Sequence, residues 1–230
     1  MISLGELIKK VLLIYSAHFR TFLGILIATL LWNIAINTIP VSISTTLRFA
    51  IPTFSVSFLI AAFTELALIK SYANFIEEKP VALREIFAQA FRKLPWFILI
   101  LLIWMTIMLV GITFLIFPAI IFGVWFIFVG TVLMLEDARG FKVFKRSKTL
   151  TAGFFFPLLL RAGAITVAAF FVASAASQGF AGILTALLGP ANPYGPVFSA
   201  IVRAVLTALA LPIISGTVVT LYFEMRKLKG

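Results

Sequence analysis

Residues 95–135 have the sequence PWFILILLIWMTIMLVGITFLIFPAIIFGVWFIFVGTVLML, 41 residues without a charged side chain. A helix that crosses a membrane needs about 20 mostly apolar residues, because the hydrocarbon core is about 30 Å thick and each residue rises 1.5 Å. The stretch therefore predicts two spans, 95–117 and 118–135. The break is placed at Phe117-Pro118, because proline disfavours helix at the residue before it and is favoured at helix starts.

Four further apolar segments have the length of a membrane span: residues 21–40, 53–76, 161–188 and 197–223. Their apolar runs are continuous, which favours helices over the alternating strands of a membrane barrel. The composition agrees, since 62% of the 230 residues are hydrophobic and 12% are charged, against about 25% charged in soluble domains. We predict an all-α polytopic membrane protein, a single domain whose six transmembrane helices form three hairpins.

The positive charges are divided unequally between the two sides of the predicted bundle. With six spans both termini share a side, and that side carries every lysine and arginine except Arg48 and Arg203. Cytoplasmic loops are enriched in lysine and arginine. We therefore expect a multi-pass protein of the cell membrane with its N- and C-termini in the cytoplasm.

A basic amphipathic segment precedes each predicted hairpin. The three segments are residues 4–19, 81–94 and 139–150. In the first, Leu7, Ile8 and Val11 recur at helical spacing, with Lys9 and Lys10 on the other flank. Such helices lie in the headgroup plane with their apolar faces inward. We predict three interfacial helices on the cytoplasmic side, and their recurrence suggests three parallel repeats.

Small residues recur every fourth position on the last two predicted spans. They are Ala169, Ala173, Ser177 and Ala181 on the fifth, and Ala200, Ala204 and Ala208 on the sixth. Small stripes let helix backbones approach closely in lipid. These two spans are therefore predicted to touch.

The composition argues against several kinds of chemistry. The chain has no cysteine, which excludes disulfides, zinc–cysteine sites and thiol catalysis, and it has a single histidine, His18. We predict no enzymatic activity, no cofactor, and no catalytic, cofactor-binding or metal-binding residues. The net charge of +11 would suggest nucleic acid in a soluble protein. Here the cations flank apolar spans, so anionic lipid headgroups, and not nucleic acid, are the expected partners.

Glu65 is the most informative single residue, because it lies near the middle of the second predicted span. A carboxylate at that depth is costly and usually faces protein or a water-filled cavity. Its candidate polar neighbours are Asn33, Asn37, Arg161, Gln178 and Arg203. Two interpretations stay open: a proton or substrate site, or a buried structural cluster.

Residues 139–148 contain five cations within ten positions. Near an anionic leaflet each cation contributes about 1 kcal/mol. Four of them are candidate contacts to lipid headgroups: Lys142, Lys145, Arg146 and Lys148. The alternative is that the segment serves only as a topology anchor.

Short motifs resemble a known family. LEDARG (135–140), FKRS (144–147) and LTAG (150–153) resemble the stretch after the fourth span in the membrane domain of glycerophosphoryl diester phosphodiesterases and related uncharacterised six-span membrane proteins. LYFEMR (221–226) resembles the closing tyrosine–acid–arginine pattern of that group. The resemblance implies a six-helix membrane module. In the fused members a separate soluble domain performs the phosphodiester chemistry, and nothing in this sequence matches that domain.

Taken together, the sequence predicts a non-enzymatic integral membrane module that binds or organises lipid. It could also support a partner membrane protein or form a homo-oligomer. The alternative is a transporter or channel for ions, small molecules or lipids, with Glu65 in the pathway. A continuous polar cavity reaching Glu65 would favour transport. A lateral apolar opening with cations at its mouth would favour lipid handling.

Overall fold

The computed structural model describes residues 2–38, 47–114, 116–136, 138–189, 192 and 195–229. Its helices are α1 (Leu4–Ala17), α2 (Phe19–Thr38), α3 (Leu47–Ile76), α4 (Leu83–Phe114), α5 (Ile116–Trp125), α6 (Val129–Leu135), α7 (Phe141–Thr151), α8 (Phe155–Leu188) and α9 (Gly195–Lys229). The described part of the chain contains no strand. The all-α prediction is confirmed.

Six helical segments are long and apolar enough to cross a membrane, which confirms the predicted number of spans. They are Phe19–Ile36, Arg48–Ile76, Leu83–Thr113, Phe117–Leu135, Phe155–Leu187 and Val197–Lys229. Spans adjacent in sequence pack in pairs: α2 with α3, α4 with α5, and α8 with α9. The last pair makes the most extensive contact, as the small-residue stripes predict. Helix α9 also packs against α1, α2 and α3, so it lies at the centre of the bundle.

The predicted amphipathic segment 81–94 and the predicted span 95–117 form one continuous helix, α4, with Pro95 inside it. One buried stripe explains the continuity, because Ile86, Ala90, Phe97 and Ile100 are all buried and recur at helical spacing across the proline. Membrane helices tolerate an internal proline, since neighbouring groups can satisfy the freed backbone. The second hairpin therefore has no separate interfacial helix within the described residues.

The predicted span 118–135 is interrupted. Helix α5 ends at Trp125, a turn follows at residues 126–128, and α6 begins at Val129. The backbone N–H of Val129 donates to the carbonyl of Phe126 at 3.1 Å, which closes the turn. The fourth span is thus two short helices joined by a break inside the bundle.

Helices α1 and α7 are separate from the spans, as predicted, and differ by a few residues from the predicted bounds 4–19 and 139–150. A capping box starts α1: the Ser3 hydroxyl accepts from the Glu6 N–H, and the Glu6 carboxylate accepts from the Ser3 N–H. Helix α7 buries Val143, Phe144 and Leu150 against the bundle. We call the end of the bundle that carries α7 and the last turns of α3 and α9 the basic end.

Candidate functional site

A cationic basin opens at the basic end between α3, α4, α6 and α9. It consists of two adjoining cavities of about 360 and 250 Å³ that share Arg92 and Lys93. Its cationic walls are Lys70, Lys79, Arg92, Lys93, Arg139 and Arg226, and Glu77 also lines it. Among the described residues the lining therefore holds six cations and one carboxylate, which makes it an attractive environment for an anion.

Two of the basin cations have structural contacts. The ammonium of Lys79 lies 2.6 Å from Glu77 Oε2, so the Glu77 carboxylate is already paired. The ammonium of Lys93 donates to the carbonyls of Leu133 and Met134, at 2.8 and 3.3 Å. These carbonyls belong to the last turn of α6, where a helix leaves acceptors without partners. Lys93 thus fixes the end of α6 as one wall of the basin.

Trp96 forms part of the rim of the basin beside Arg92 and Arg139. Its side chain is exposed in the structure. Tryptophan is enriched at the boundary between headgroups and hydrocarbon, because its ring is apolar and its N–H is polar.

Glu136 joins three segments of the chain at the basic end. Its Oε2 lies 2.8 Å from Nε of Arg146, and its Oε1 accepts a hydrogen bond of 2.7 Å from the hydroxyl of Tyr222. The cluster connects the end of α6, the middle of α7 and the last turns of α9. All three residues belong to the motifs that carry the family resemblance, so those motifs correspond to a packing contact.

The four predicted headgroup contacts have different environments. Arg146 pairs with Glu136 while its side chain stays 34% exposed, so its contact with lipid stays a prediction beside this structural role. Lys148 lies 4.0 Å from the centroid of the Trp125 ring, a cation–π contact within the protein. Lys142 and Lys145 are exposed on α7, and their contact with lipid stays a prediction.

Ser147 bridges the break in the fourth span. Its hydroxyl donates to the carbonyl of Trp125 at 2.7 Å and accepts from the N–H of Phe128 at 3.3 Å. Ser147 is fully buried, so these bonds satisfy backbone groups that have no water nearby. The position of α7 is thereby tied to the geometry of the break.

Glu65 lies in a second cavity, of about 270 Å³, among α3, α4, the broken fourth span and α9. Glu65 Oε2 accepts a hydrogen bond of 2.7 Å from the hydroxyl of Ser215. Most of the remaining lining is apolar, including Phe97, Trp104 and Phe126. The carboxylate therefore faces a protein cavity, as expected for an intramembrane acid.

Of the predicted neighbours of Glu65 whose side chains the structure describes, none lines its cavity. The Asn33 amide donates to the Thr29 carbonyl of its own helix, and the Arg161 guanidinium donates to the Pro157 carbonyl. Both polar side chains therefore have partners on their own helices.

Gln178 and Arg203 line a different cavity, of about 550 Å³, between α8 and α9. The side chain of Asn37 lies outside the described residues. Ser215 is not among the residues predicted from the sequence, because its only signal there is a hydroxyl in the middle of an apolar span.

The basin and the Glu65 cavity are separate, although the same four elements contribute to both. On α3, Lys70 lines the basin and Glu65 lines the cavity, five residues or about 7.5 Å apart along the helix axis. Ile69, which is buried, also lines the cavity. The cavity thus lies deeper in the bundle than the basin.

A further, apolar cavity of about 360 Å³ lies between α1, α8 and α9. Ile8 and Leu12 of α1 line it together with Ala169 and Ala173 of the small stripe and Ile213 of α9. The small stripe on α8 therefore leaves space beside α9 in addition to allowing close approach.

The chain matches no protein-family model, no curated protein and no solved structure. The resemblance to the membrane domain of glycerophosphoryl diester phosphodiesterases thus stays a prediction from the motifs.

Proposed function

We propose that this integral membrane protein is a non-enzymatic module that binds anionic lipid headgroups in the cationic basin. The observation that carries the proposal is the convergence, within the described part of the chain, of six cations from separate segments around the paired carboxylate of Glu77. A topology anchor needs cations on the correct side of the membrane, but it does not need them to share a cavity.

The charges suit a phosphate ligand. Arg92 and Arg226 approach the basin from different helices, and a guanidinium can bind two oxygens of one phosphate. Lys70 adds a third cation from α3, close to the apolar part of its span. A bound lipid would place its phosphate among these groups and its acyl chains along the outside of the bundle.

The orientation is part of the proposal. The basic end would face the cytoplasm, because lysine and arginine are concentrated in cytoplasmic loops. Its surface would then meet the anionic inner leaflet, which attracts basic segments. The exposed Lys142 and Lys145 on α7 would strengthen this attraction without forming a defined site.

The test compares two variants that each lose two positive charges. One carries Arg92→Gln with Arg226→Gln in the basin, and the control carries Lys142→Gln with Lys145→Gln on α7. Each protein is purified in detergent, and the binding of phosphatidylglycerol and phosphatidylcholine is measured by native mass spectrometry. Loss of the charge-assisted hydrogen bonds from two arginines to one phosphate, at about 1 kcal/mol net each, should weaken phosphatidylglycerol binding about 30-fold in the basin variant. The control, whose lysines form no defined site, should stay close to the original protein.

Three results would contradict the proposal. Equal losses in both variants would show general attraction by charge, and unchanged binding in the basin variant would show that the basin is not the site. Phosphatidylcholine binding as tightly as phosphatidylglycerol would show that anionic charge is not recognised. An inside-out protease assay that found the C-terminus outside the cell would contradict the orientation.

A transporter is the second candidate function, and one observation favours it. The break in the fourth span borders the cavity of Glu65, since Phe126 and Ile127 of the turn line that cavity. Interrupted helices near the middle of the membrane, combined with an ionisable side chain, are typical of transporter binding sites. Uptake of a labelled substrate into vesicles, abolished by Glu65→Gln, would support this candidate over lipid binding alone.

A further inference from the structure

The Glu65 cavity combines acceptor oxygens with aromatic walls. Within the described residues, the one hydrogen bond to the Glu65 carboxylate comes from Ser215 and reaches Oε2. Oε1 has no hydrogen-bond partner among the described residues. Two side chains with oxygen atoms line the cavity, Glu65 from α3 and Thr131 from α6, and Ser215 of α9 holds the Glu65 carboxylate from behind this lining.

Thr131 provides a second, independent sign of a ligand. Its side chain lines the cavity and is only 1% exposed, yet its hydroxyl has no hydrogen-bond partner among the described residues. A buried hydroxyl without a partner costs about 1–3 kcal/mol. Helical threonines ordinarily avoid this cost by bonding a carbonyl of the preceding turn, as Thr106 and Thr113 do on α4. A ligand in the cavity would supply the missing partner.

The aromatic walls select the class of ligand. Phe97, Trp104 and Phe126 line the cavity together with Glu65. The face of an aromatic ring attracts cations, most strongly when both are removed from water. An anion would be repelled by the carboxylate, and the described residues contain no group of three histidine, cysteine or acidic side chains that could hold a metal ion. The cavity volume of about 270 Å³ suits a small molecule.

We propose that the Glu65 cavity binds a small organic ammonium ion. Glu65 supplies the opposite charge, Phe97, Trp104 and Phe126 surround the alkyl ammonium group, and Thr131 accepts or donates a hydrogen bond at its polar end. The proposal deepens the second candidate function by naming its substrate class, and it does not depend on the lipid site in the basin.

Binding is tested with choline as the probe, measured by calorimetry on the purified full chain in detergent. Its neutral isostere dimethylbutanol, in which carbon replaces the ammonium nitrogen, serves as the matched ligand control. We expect saturable one-site binding of choline and at least tenfold weaker binding of the isostere. Glu65→Gln should weaken choline binding at least tenfold, and Trp104→Leu should weaken it about 2- to 30-fold, from a cation–π contribution of about 0.5–2 kcal/mol.

A matched protein control comes from Glu77→Gln, which removes a carboxylate from the basin and should leave choline binding unchanged. If Glu65→Gln does not fold, choline binding is measured instead with Trp104→Leu and with Thr131→Val. Each of these two variants must weaken choline binding. The proposal is overturned if choline does not saturate a site, if the isostere binds equally well, or if the cavity variants bind choline unchanged. Full competition by an equal concentration of sodium would overturn it in favour of an inorganic cation site.

The two proposals fail in different ways. The basin variant, Arg92→Gln with Arg226→Gln, should bind choline with unchanged affinity and bind phosphatidylglycerol more weakly. Choline binding without uptake into vesicles would contradict the transporter and leave the binding site intact. If the basin variant binds both choline and phosphatidylglycerol more weakly, the two sites are not independent.

Discussion

Arg146 lies with its Nε 2.8 Å from Oε2 and 3.1 Å from Oε1 of Glu136, a carboxylate ten residues earlier in the chain. The pair folds α7 back against the end of α6. The hydroxyl of Tyr222 donates to the same carboxylate, so α9 is attached at the same point. A segment that resembles a simple run of surface cations in sequence thus contains one cation that holds the bundle together.

Arg146→Gln should destabilise the protein by about 1–3 kcal/mol, because it leaves a partly buried carboxylate without its cationic partner. The Glu136 side chain is 19% exposed, so water replaces the guanidinium only in part. Thermal unfolding in detergent measures the loss. Lys145→Gln, on the exposed side of the same helix, is the charge-matched control and should change stability little. Equal losses in the two variants would show that the pair is not stabilising.

Ser147→Ala should destabilise the protein by about 1–3 kcal/mol, because it removes both bonds across the break in the fourth span. The buried N–H of Phe128 would lose its partner, and no water is near to replace it. Thr149→Ala is the control, since its hydroxyl is exposed and bonds a carbonyl of its own helix. Hydrogen exchange should also speed up at Phe128 in the Ser147 variant and not in the control. Unchanged exchange there would contradict the bridging role.

Most of the fold could be predicted because a membrane imposes a length and a polarity on each element. Mostly apolar stretches of about 20 residues or more identified every span. The joins were harder to predict. Pro95 suggested a boundary, yet the buried stripe from Ile86 to Ile100 runs through it without a change of register. The break at residues 126–128 has no proline or charge to mark it, and its stabilising hydroxyl comes from Ser147, nineteen residues later in sequence.

The sites could be predicted only in part, because they depend on how the helices rotate about their axes. Charge asymmetry placed Lys70, Arg92 and Arg226 on one side of the bundle, but it did not show that they share a cavity. Glu65 was recognised from its depth alone. Its partner Ser215 lies 150 residues away, and only the packing of α3 against α9 brings the two together.

The capping box of α1 predicts a pH dependence. Hydrogen bonds from the Ser3 N–H and then from its hydroxyl lower the pKa of Glu6 from its ordinary value of 4.5. Because the pKa is lowered on folding, the stabilisation of the first turn is present above pH 4.5 and is lost as the pH falls through the lowered value. In Ser3→Ala the pKa of Glu6 should rise toward 4.5, as followed by NMR of labelled glutamate.

Gly216→Ala should destabilise the protein by about 1–3 kcal/mol, because a Cβ at this position would overlap the buried ring of Tyr72. Gly163→Ala on α8 is the matched control, since a Cβ there meets nothing within 4 Å. Alanine favours a helix over glycine by about 1 kcal/mol, so the control should be neutral or more stable. Thermal unfolding distinguishes the two. Adding Tyr72→Leu should recover part of the loss in Gly216→Ala, and a purely additive double variant would contradict the proposed overlap.

The hydroxyls of Thr29 on α2 and Thr64 on α3 lie 2.7 Å apart and are buried, so they form a direct polar link within the first hairpin. Thr29→Val and Thr64→Val should each cost about 1 kcal/mol, because each leaves the other hydroxyl without a partner. The double variant should cost no more than either single one, since both hydroxyls are then absent and the shape is conserved. A double-mutant cycle of unfolding free energies measures the coupling, which averages about 0.6 kcal/mol in membrane helices.

Thr113→Val is the control for the substitution itself, because the Thr113 hydroxyl is exposed and bonds its own helix. Strictly additive losses would show that the two hydroxyls do not interact, and the first hairpin would then depend on apolar packing and on the bond from Trp32 to Ser57.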